Sequence, residues 1–215
     1  YGFQPTNPSI SSSNTQGYLA QLPQCDISSN PYGGATGTYG LPSCVALKYG
    51  AVSIVVWFYV PSTSTQGAIL GMMGSQYTSS PSTYVPALYI GTDGKLHFGD
   101  WSSSSGSQIL TVSISPGWHM AVWEEGGISS SGATFYGYLD GNLVGSISLS
   151  GLTFTVGGIS PPPTYWDIGT GDTNGWPSGA GGWFFFNGTI AYVAVYNTVL
   201  NQSQVQQLYQ TDFPN

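Results

Sequence analysis

The sequence predicts an all-β protein, an antiparallel sandwich or barrel with one short C-terminal helix. Many short runs of β-branched and aromatic residues recur, clusters of Gly, Pro and Ser separate them, and two Asp-Gly pairs stand between runs. A length of 215 residues suits about one domain with a single large core. The hydrophobic fraction of 40% excludes a disordered chain.

The first 44 residues have a different texture from the rest of the chain. They are rich in Pro, Ser, Asn, Gln and Gly, and their apolar residues are scattered singly, which is typical of extended chain and turns. The sequence therefore predicts an extended N-terminal arm over 1–44 and a β-sandwich domain over 45–215.

Both cysteines, Cys25 and Cys44, belong to the arm. An even pair in an exported chain indicates a disulfide, which here would close a loop of about 20 residues and contribute about 3 kcal/mol. A zinc site would need accompanying histidines, and a redox pair would need the C-x-x-C spacing.

After the arm, the predicted strands follow one another at short intervals. They cover 52–60, 68–73, 87–90, 96–98, 109–114, 120–123, 134–139, 143–149, 165–168, 183–186 and 189–196. Asp93-Gly94 and Asp140-Gly141 are predicted to form type I′ hairpins, because Asp-Gly readily takes the positive backbone angles of that turn.

One segment, 200–209, has a helical pattern. Val205, Leu208 and Tyr209 share a face, and Asn201 with Gln204 three residues later forms a capping-box pattern. We expect this helix to cover one end of the sandwich.

Charged residues make up 5% of the chain, and its cations are Lys48 and Lys95. So few cations exclude the row of phosphate contacts that nucleic-acid binding requires and a polybasic membrane anchor. The longest apolar run, 51–60, is too short for a membrane helix. The surface must be built from neutral hydroxyls and amides, which makes it nearly indifferent to pH and salt and suits contact with sugars or with copies of itself.

Export is a further expectation. The sequence starts with Tyr1 rather than Met, which predicts removal of an upstream signal segment and an extracellular or cell-surface location. Asn187-Gly-Thr and Asn201-Gln-Ser are candidate N-glycosylation sites. A glycan on Asn201 would leave its amide oxygen free to cap the helix.

The segment 52–209 resembles the concanavalin A-like superfamily, and most closely its laminin G-like branch. Five motifs occur in the family's order: the early tryptophan strand 52–58, the hairpin 87–99, the Trp-His strand 116–123, the Tyr-Leu-Asp-Gly hairpin 136–144, and the closing strand 186–196 with its helix. The resemblance implies a jelly-roll sandwich of two curved sheets. Ala191 and Ala194 depart from the family pattern, which has acidic and basic residues along the closing strand.

Catalysis is not predicted, and neither is a cofactor. Glycosidases use two carboxylates, but Glu124 and Glu125 are the only glutamates. If they continue the strand they point to opposite faces, and if they begin a turn before Gly126 they are solvated. His119 is expected to be packed and hydrogen-bonded. Asp100, Asp167 and Asp172 carry no glycosidase motif.

Calcium binds to some laminin G-like domains, so the resemblance makes Asp167, Asp172 and Asn174 weak calcium candidates. Oxygen donors near a turn suit a hard cation, but Asp-Thr-Asn-Gly is equally typical of an ordinary loop.

Two functions remain open. One is an extracellular structural or adhesive subunit that self-associates into a filament or surface layer, with the N-terminal segment adding a strand to a neighbour's sheet. The alternative is a lectin-like carbohydrate-binding module, and a glycoside hydrolase is less favoured. For sugar stacking, the candidates are aromatic residues in or beside Gly-, Ser- and Pro-rich loops: Trp101, Tyr165, Trp166, Trp176 and Trp183.

Overall fold

Eleven strands and one helix make up the described part of the chain. The structure is a computed structural model that describes residues 2–3, 51–73, 81–129, 131–151, 153, 165–196 and 198–211. The strands are β1 (Gly2–Phe3), β2 (Ala51–Val60), β3 (Gly67–Met73), β4 (Tyr84–Ile90), β5 (Lys95–Ser102), β6 (Gly106–Ser113), β7 (Gly117–Ser129), β8 (Gly132–Leu139), β9 (Asn142–Ser150), β10 (Tyr165–Ile168) and β11 (Thr189–Tyr196). The helix, α1, spans Gln202–Thr211.

The strands form two antiparallel sheets. The six-stranded sheet has the order β1-β11-β2-β7-β8-β9, and the five-stranded sheet has the order β10-β3-β4-β5-β6. Their inner faces enclose one hydrophobic core, in which Phe58, Phe98 and Trp123 are fully buried. The predicted antiparallel sandwich is therefore confirmed.

The apolar run of β2 has a simple explanation in this arrangement. Ile54, Val56 and Phe58 face the core between the sheets, and Val55 and Trp57 face the other way into a second apolar cluster. A strand covered on both faces needs apolar residues at nearly every position instead of an alternating pattern.

Helix α1 covers the second apolar cluster, on the outer face of β2. Val205 is completely buried in the outer cluster, and Tyr209 stacks on Trp57 with ring centroids 5.6 Å apart. The helix therefore lies against the outer face of the six-stranded sheet, and our expectation that it covers one end of the sandwich was wrong. The sequence pattern gives the apolar face of the helix but not the surface that this face meets.

The predicted cap of this helix is confirmed. The amide of Gln204 donates to Asn201 Oδ1 at 3.0 Å, and the amide of Asn201 donates to Gln204 Oε1 at 2.8 Å. This reciprocal pair satisfies two amides that the first helical turn leaves without partners.

Only one of the two predicted type I′ hairpins has that form. Asp140 and Gly141 both have positive φ, 50° and 78°, as the turn requires. In the β4–β5 turn, Gly94 has φ 71° and its amide donates to the carbonyl of Gly91, while Asp93 is not among the described residues with positive φ. That turn is a three-residue loop ending in a left-handed glycine, so the type I′ prediction was wrong there.

The predicted strand 183–186 was also wrong. This segment makes isolated bridges, Asp172 to Trp183 and Ala68 to Phe185, instead of a continuous ladder. Its aromatic residues give it a strand-like composition, but its backbone runs beside two different partners in turn.

Several predictions fall on residues that the structure does not describe. The Cys25–Cys44 disulfide and most of the extended arm lie outside the described residues. None of the helices in the described ranges has the length and hydropathy needed to cross a membrane.

Candidate functional site

An open groove of about 440 Å³ lies beside the five-stranded sheet. Three structural parts form its walls: the start of β4, the β5–β6 hairpin, and the loop that follows β10. Its lining residues are Ser82, Thr83, Tyr84, Trp101, Ser107, Asn174, Gly175 and Trp176.

The strand period of β5 places Trp101 in this groove. Leu96 and Phe98 point into the core and are fully buried, so Trp101, at an odd number of residues from each, points to the outer face of the sheet. Trp101 is partly exposed and pairs across the hairpin with Ser107. The groove therefore contains an indole ring beside a hydroxyl.

Trp176 comes from the loop after β10 and is 8% exposed. A glycine makes room for its ring, because a Cβ added at Gly99 would lie 3.0 Å from Trp176 Cζ3. The ring therefore lies against the outer face of β5, where part of it packs on the sheet and part lines the groove.

Hydrogen bonds fix the loop in place. The Tyr84 hydroxyl donates to the carbonyl of Asn174 at 2.9 Å, and the Tyr89 hydroxyl donates to the carbonyl of Pro177 at 2.6 Å. The amide of Trp176 donates to the carbonyl of Thr173 at 3.1 Å. A groove wall tied at several points is formed before any ligand arrives, which lowers the entropic cost of binding.

The lining consists of neutral groups in the described residues. Its aromatic lining comes from the partly exposed Trp101 and Tyr84 and from the edge of Trp176 that remains 8% exposed, and serine, threonine and Asn174 lie around them. Flat apolar rings with hydrogen-bonding groups at their edges match a ligand that has both C–H faces and hydroxyls.

One carboxylate lies behind the groove wall. The amide of Asn174 donates to Asp172 Oδ1 at 2.8 Å, and Asp172 itself is 6% exposed. Burial and the Asp172 charge both raise the pKa of the Tyr84 hydroxyl. The electrostatic influence of Asp172 therefore reaches a side chain that lines the groove.

The five predicted sugar-stacking residues fall into different environments. Trp101 and Trp176 share the groove. Trp166 is 2% exposed and makes an edge contact with Trp123 in the core, so it offers no surface to a ligand and its prediction is corrected. Trp183 is partly buried in its bridge to Asp172 and is not part of the lining. The side chain of Tyr165 lies outside the described residues.

The three calcium candidates give no clear donor cluster. Asp167 is 1% exposed, Asp172 accepts the Asn174 amide, and Asn174 is exposed. Across the described ranges, no three His, Cys, Asp or Glu side chains are grouped so that they could hold a metal ion.

Glu124 and Glu125 continue β7, and their side chains point to opposite faces of the sheet. This is the first of the two alternatives that the sequence left open. Glu124 Oε1 accepts the Leu200 amide at 3.1 Å and lies 2.9 Å from Ser53 Oγ, on the side of α1. The solvated-turn alternative is wrong, because both side chains are completely buried. Burial raises the pKa of Glu124 to about 7.

Glu125 faces the core, where it meets Asp100 of the opposite sheet. Asp100 is completely buried and Oδ1 accepts the Trp101 amide at 2.7 Å. Burial first, and the charge of Glu125 second, raise the pKa of Asp100 well above its usual range. The sequence analysis missed this buried acid pair. The alternation of β5 could have indicated it, because Asp100 lies on the same face of the strand as Leu96 and Phe98.

Both histidines act as structural ties. His119 Nδ1 lies 2.7 Å from Asp140 Oδ2, and His119 Nε2 lies 2.8 Å from the carbonyl of Ser115, so its predicted hydrogen-bonded environment is confirmed. His97 lies between Asp93 and Thr111, at 2.9 Å and 3.0 Å. Both sequon asparagines, Asn187 and Asn201, are exposed.

Comparison with known proteins identifies the fold. The model of the Laminin_G_3 family, in the concanavalin A-like lectin/glucanases superfamily, matches residues 33–206. No curated protein matches the chain. In a structure with alpha2,3 sialyllactose bound, the CBM40 module of a Ruminococcus gnavus IT-sialidase is similar, with TM-score 0.53, 14% identity, and coverage of 74% of this chain and 82% of that one.

A second solved structure is similar over a small part of a larger protein. The NanB sialidase of Streptococcus pneumoniae aligns with TM-score 0.51 and 12% identity, over 73% of this chain and 23% of that one. At these identities the likeness shows a shared fold.

Proposed function

Because this chain belongs to the laminin G-like family of the concanavalin A-like lectin/glucanases superfamily, we propose that it is a non-catalytic carbohydrate-binding domain. The observation that carries this proposal is the preformed groove in which Trp101 and Trp176 stand among neutral hydroxyls. A similar fold binds sialyllactose in the R. gnavus module, which supports a glycan as the class of ligand.

The geometry favours binding over cleavage. Glycoside hydrolysis requires two carboxyl groups that flank the scissile bond. The lining of the groove includes no carboxylate among the described residues, and Asp100, next to Trp101 in sequence, is buried in the core. The groove can therefore hold a sugar ring without the groups that would cut it.

Replacing Trp101 with alanine is expected to weaken glycan binding about 30-fold, equivalent to about 2 kcal/mol, because the variant loses the partly exposed ring of the groove. Titration calorimetry against a panel of neutral oligosaccharides measures the change. Trp118→Ala is the matched control, since Trp118 is also partly exposed but packs on Tyr59 at the outer face of the six-stranded sheet. Equal losses in both variants would contradict the groove as the binding site.

Self-association is a second candidate function, favoured by one specific contact. Gly2 and Phe3 pair antiparallel with Ala194 and Val193 of β11. This two-residue strand, β1, lies at the edge of the six-stranded sheet, beside β11. A neighbouring copy could supply the same strand, because exchange of identical elements is a low-cost route to assembly.

Deletion of residues 1–20 is expected to abolish such assembly. Light scattering and negative-stain images would compare the full chain with the deletion variant, and a cooperative thermal transition in both would show that each is folded. Continued polymerisation of the truncated chain would rule out strand addition from this segment. We also propose an extracellular location, which suits a neutral hydroxyl-rich surface and either function.

A further inference from the structure

We infer that the groove selects uncharged glycans and rejects glycans that carry a carboxylate. The inference rests on the proposed carbohydrate-binding function and names the chemical class of the ligand. Three observations support it: the positions of the cations, the carboxylate of Asp172 beside the groove, and the direction of the hydrogen bond from Tyr84 to Asn174.

Among the described residues, no cation lines the groove for an acidic sugar to meet. The chain has two Lys or Arg residues in total, and both are lysines. Lys95 lies at the start of β5, six residues from Trp101, which along a strand is a separation of about 20 Å. Lys48 is outside the described residues. The bidentate guanidinium contact, the strongest pairing for a carboxylate, is impossible for this chain because it has no arginine.

The fixed charge beside the groove has the wrong sign for an acid. Asp172 holds the Asn174 amide behind the wall and is nearly buried, so solvent screens its charge less than it would screen a surface carboxylate. A sugar carboxylate bound near Tyr84 and Asn174 would be repelled by it. A neutral sugar hydroxyl would not.

Hydrogen-bond direction gives the same preference. The Tyr84 hydroxyl donates its proton to the carbonyl of Asn174, so its oxygen is left as an acceptor. Sugar hydroxyls can donate to that oxygen, whereas an ionised carboxylate only accepts hydrogen bonds. A carboxylate beside the Tyr84 oxygen would therefore gain no hydrogen bond from it, whereas a sugar hydroxyl would.

The test compares neutral glycans with counterparts that carry a carboxylate. Neutral hexasaccharides of β-1,4-glucan, β-1,3-glucan, α-1,4-glucan and β-1,4-mannan are compared with their C6-oxidised forms, and lactose is compared with α2,3-sialyllactose. Titration calorimetry with the full chain at pH 7 is expected to show binding of at least one neutral glycan. The charged partner of that glycan is expected to bind at least about 10-fold more weakly, a difference that shrinks as salt is added.

A gain-of-charge variant strengthens the test. Ser107 is exposed and pairs with Trp101 across the hairpin, so Ser107→Arg places a guanidinium at the groove without removing an aromatic wall. In this variant, the ratio of the neutral-glycan affinity to the charged-glycan affinity is expected to fall at least about threefold. Ser107→Gln is the uncharged control.

The outcomes separate the two proposals. Charged glycans that bind as tightly as their neutral partners, with Trp101→Ala still disrupting binding, would overturn the selectivity and leave the glycan site standing. Absence of binding to every glycan of either charge would overturn the proposed function and this inference together.

Discussion

Raising the pH from 4 to 8 is expected to destabilise the folded chain by several kcal/mol. The cause is a set of carboxyl groups that are buried in the fold and neutral in acid. Burial raises the pKa of Glu124 and of Asp167 to about 7, and burial together with the charge of Glu125 raises that of Asp100 still more clearly above its usual range. The neutral surface predicted from composition hides an interior that does titrate.

The direction follows from proton linkage. A carboxyl whose pKa is higher in the folded than in the unfolded chain binds its proton more tightly when folded, so its stabilising contribution is complete below about pH 4. That contribution is lost as the pH rises through the folded pKa, which is about 7 for Glu124 and Asp167. Each pKa unit corresponds to about 1.4 kcal/mol, so the full contribution is about 3 kcal/mol for Glu124 and about 4 kcal/mol for Asp167.

Two other groups change this dependence only in detail. Burial lowers the pKa of His119, but its hydrogen bonds with Asp140 and Ser115 outweigh that effect and raise it, so its contribution is also lost as the pH rises. Burial raises the pKa of Asp93, but its hydrogen bonds with His97 and the Lys95 amide outweigh that effect and lower it. Asp93 therefore favours neutral pH, with a small effect because its side chain is about one-third exposed.

Urea denaturation at pH 4, 6 and 8 measures this dependence. Glu124→Gln and Asp100→Asn keep the shape of each side chain and remove its titration, so each variant is expected to lose less stability between pH 4 and pH 8 than the parent. Equal unfolding free energies of the parent at pH 4 and pH 8 would show that these carboxyls are ionised without penalty.

The Gly67→Ala variant is expected to lose about 4 kcal/mol of stability. Gly67 has φ 121°, and a Cβ there would overlap the carbonyl oxygen of Phe185 and the Cα of Phe186. Both obstacles are backbone, so they cannot rotate away as a side chain would. The change combines backbone strain with overpacking, each of which costs about 1–3 kcal/mol.

Gly117→Ala separates these two effects. Gly117 has a similar φ of 138°, but nothing lies within 4 Å of its added Cβ. Chemical denaturation is expected to show that Gly67→Ala costs at least about 2 kcal/mol more than Gly117→Ala. Similar losses of unfolding free energy in the two variants would mean that the segment after Trp183 moves aside freely. Its hydrogen bonds to β3 would then contribute little to stability.

Local patterns predicted much of the fold. Short β-branched and aromatic runs located most strands, Asn201 and Gln204 marked the helix start, and the Asp140-Gly141 pair gave its turn, because each depends on neighbours in sequence. The strand prediction for 183–186 was wrong because the two bridges of this segment run to different parts of the chain, Asp172 and Ala68, and form no continuous ladder.

The candidate site was only partly predictable for the same reason. Trp101 and Trp166 both stand beside flexible-looking sequence, yet one faces a groove and the other is covered by Trp123. Glu125 and Asp100 approach each other only because the two sheets pack face to face. The sequence does not predict which residues of one sheet lie opposite which residues of the other. An aromatic residue beside a loop becomes a reliable binding candidate only when the orientation of its side chain and the residues that bury it are known.

The central position of β2 constrains how the chain reaches its native state. Its two ladder partners are β7 and β11, and Ser53 aligns with Tyr196, across more than half the chain. One edge of this hydrophobic strand must therefore wait until β11 has been synthesised, and closing so long a loop slows folding. The central ladder of this sheet is consequently expected to be completed late in folding, and the unpaired edge of β2 favours aggregation until β11 docks.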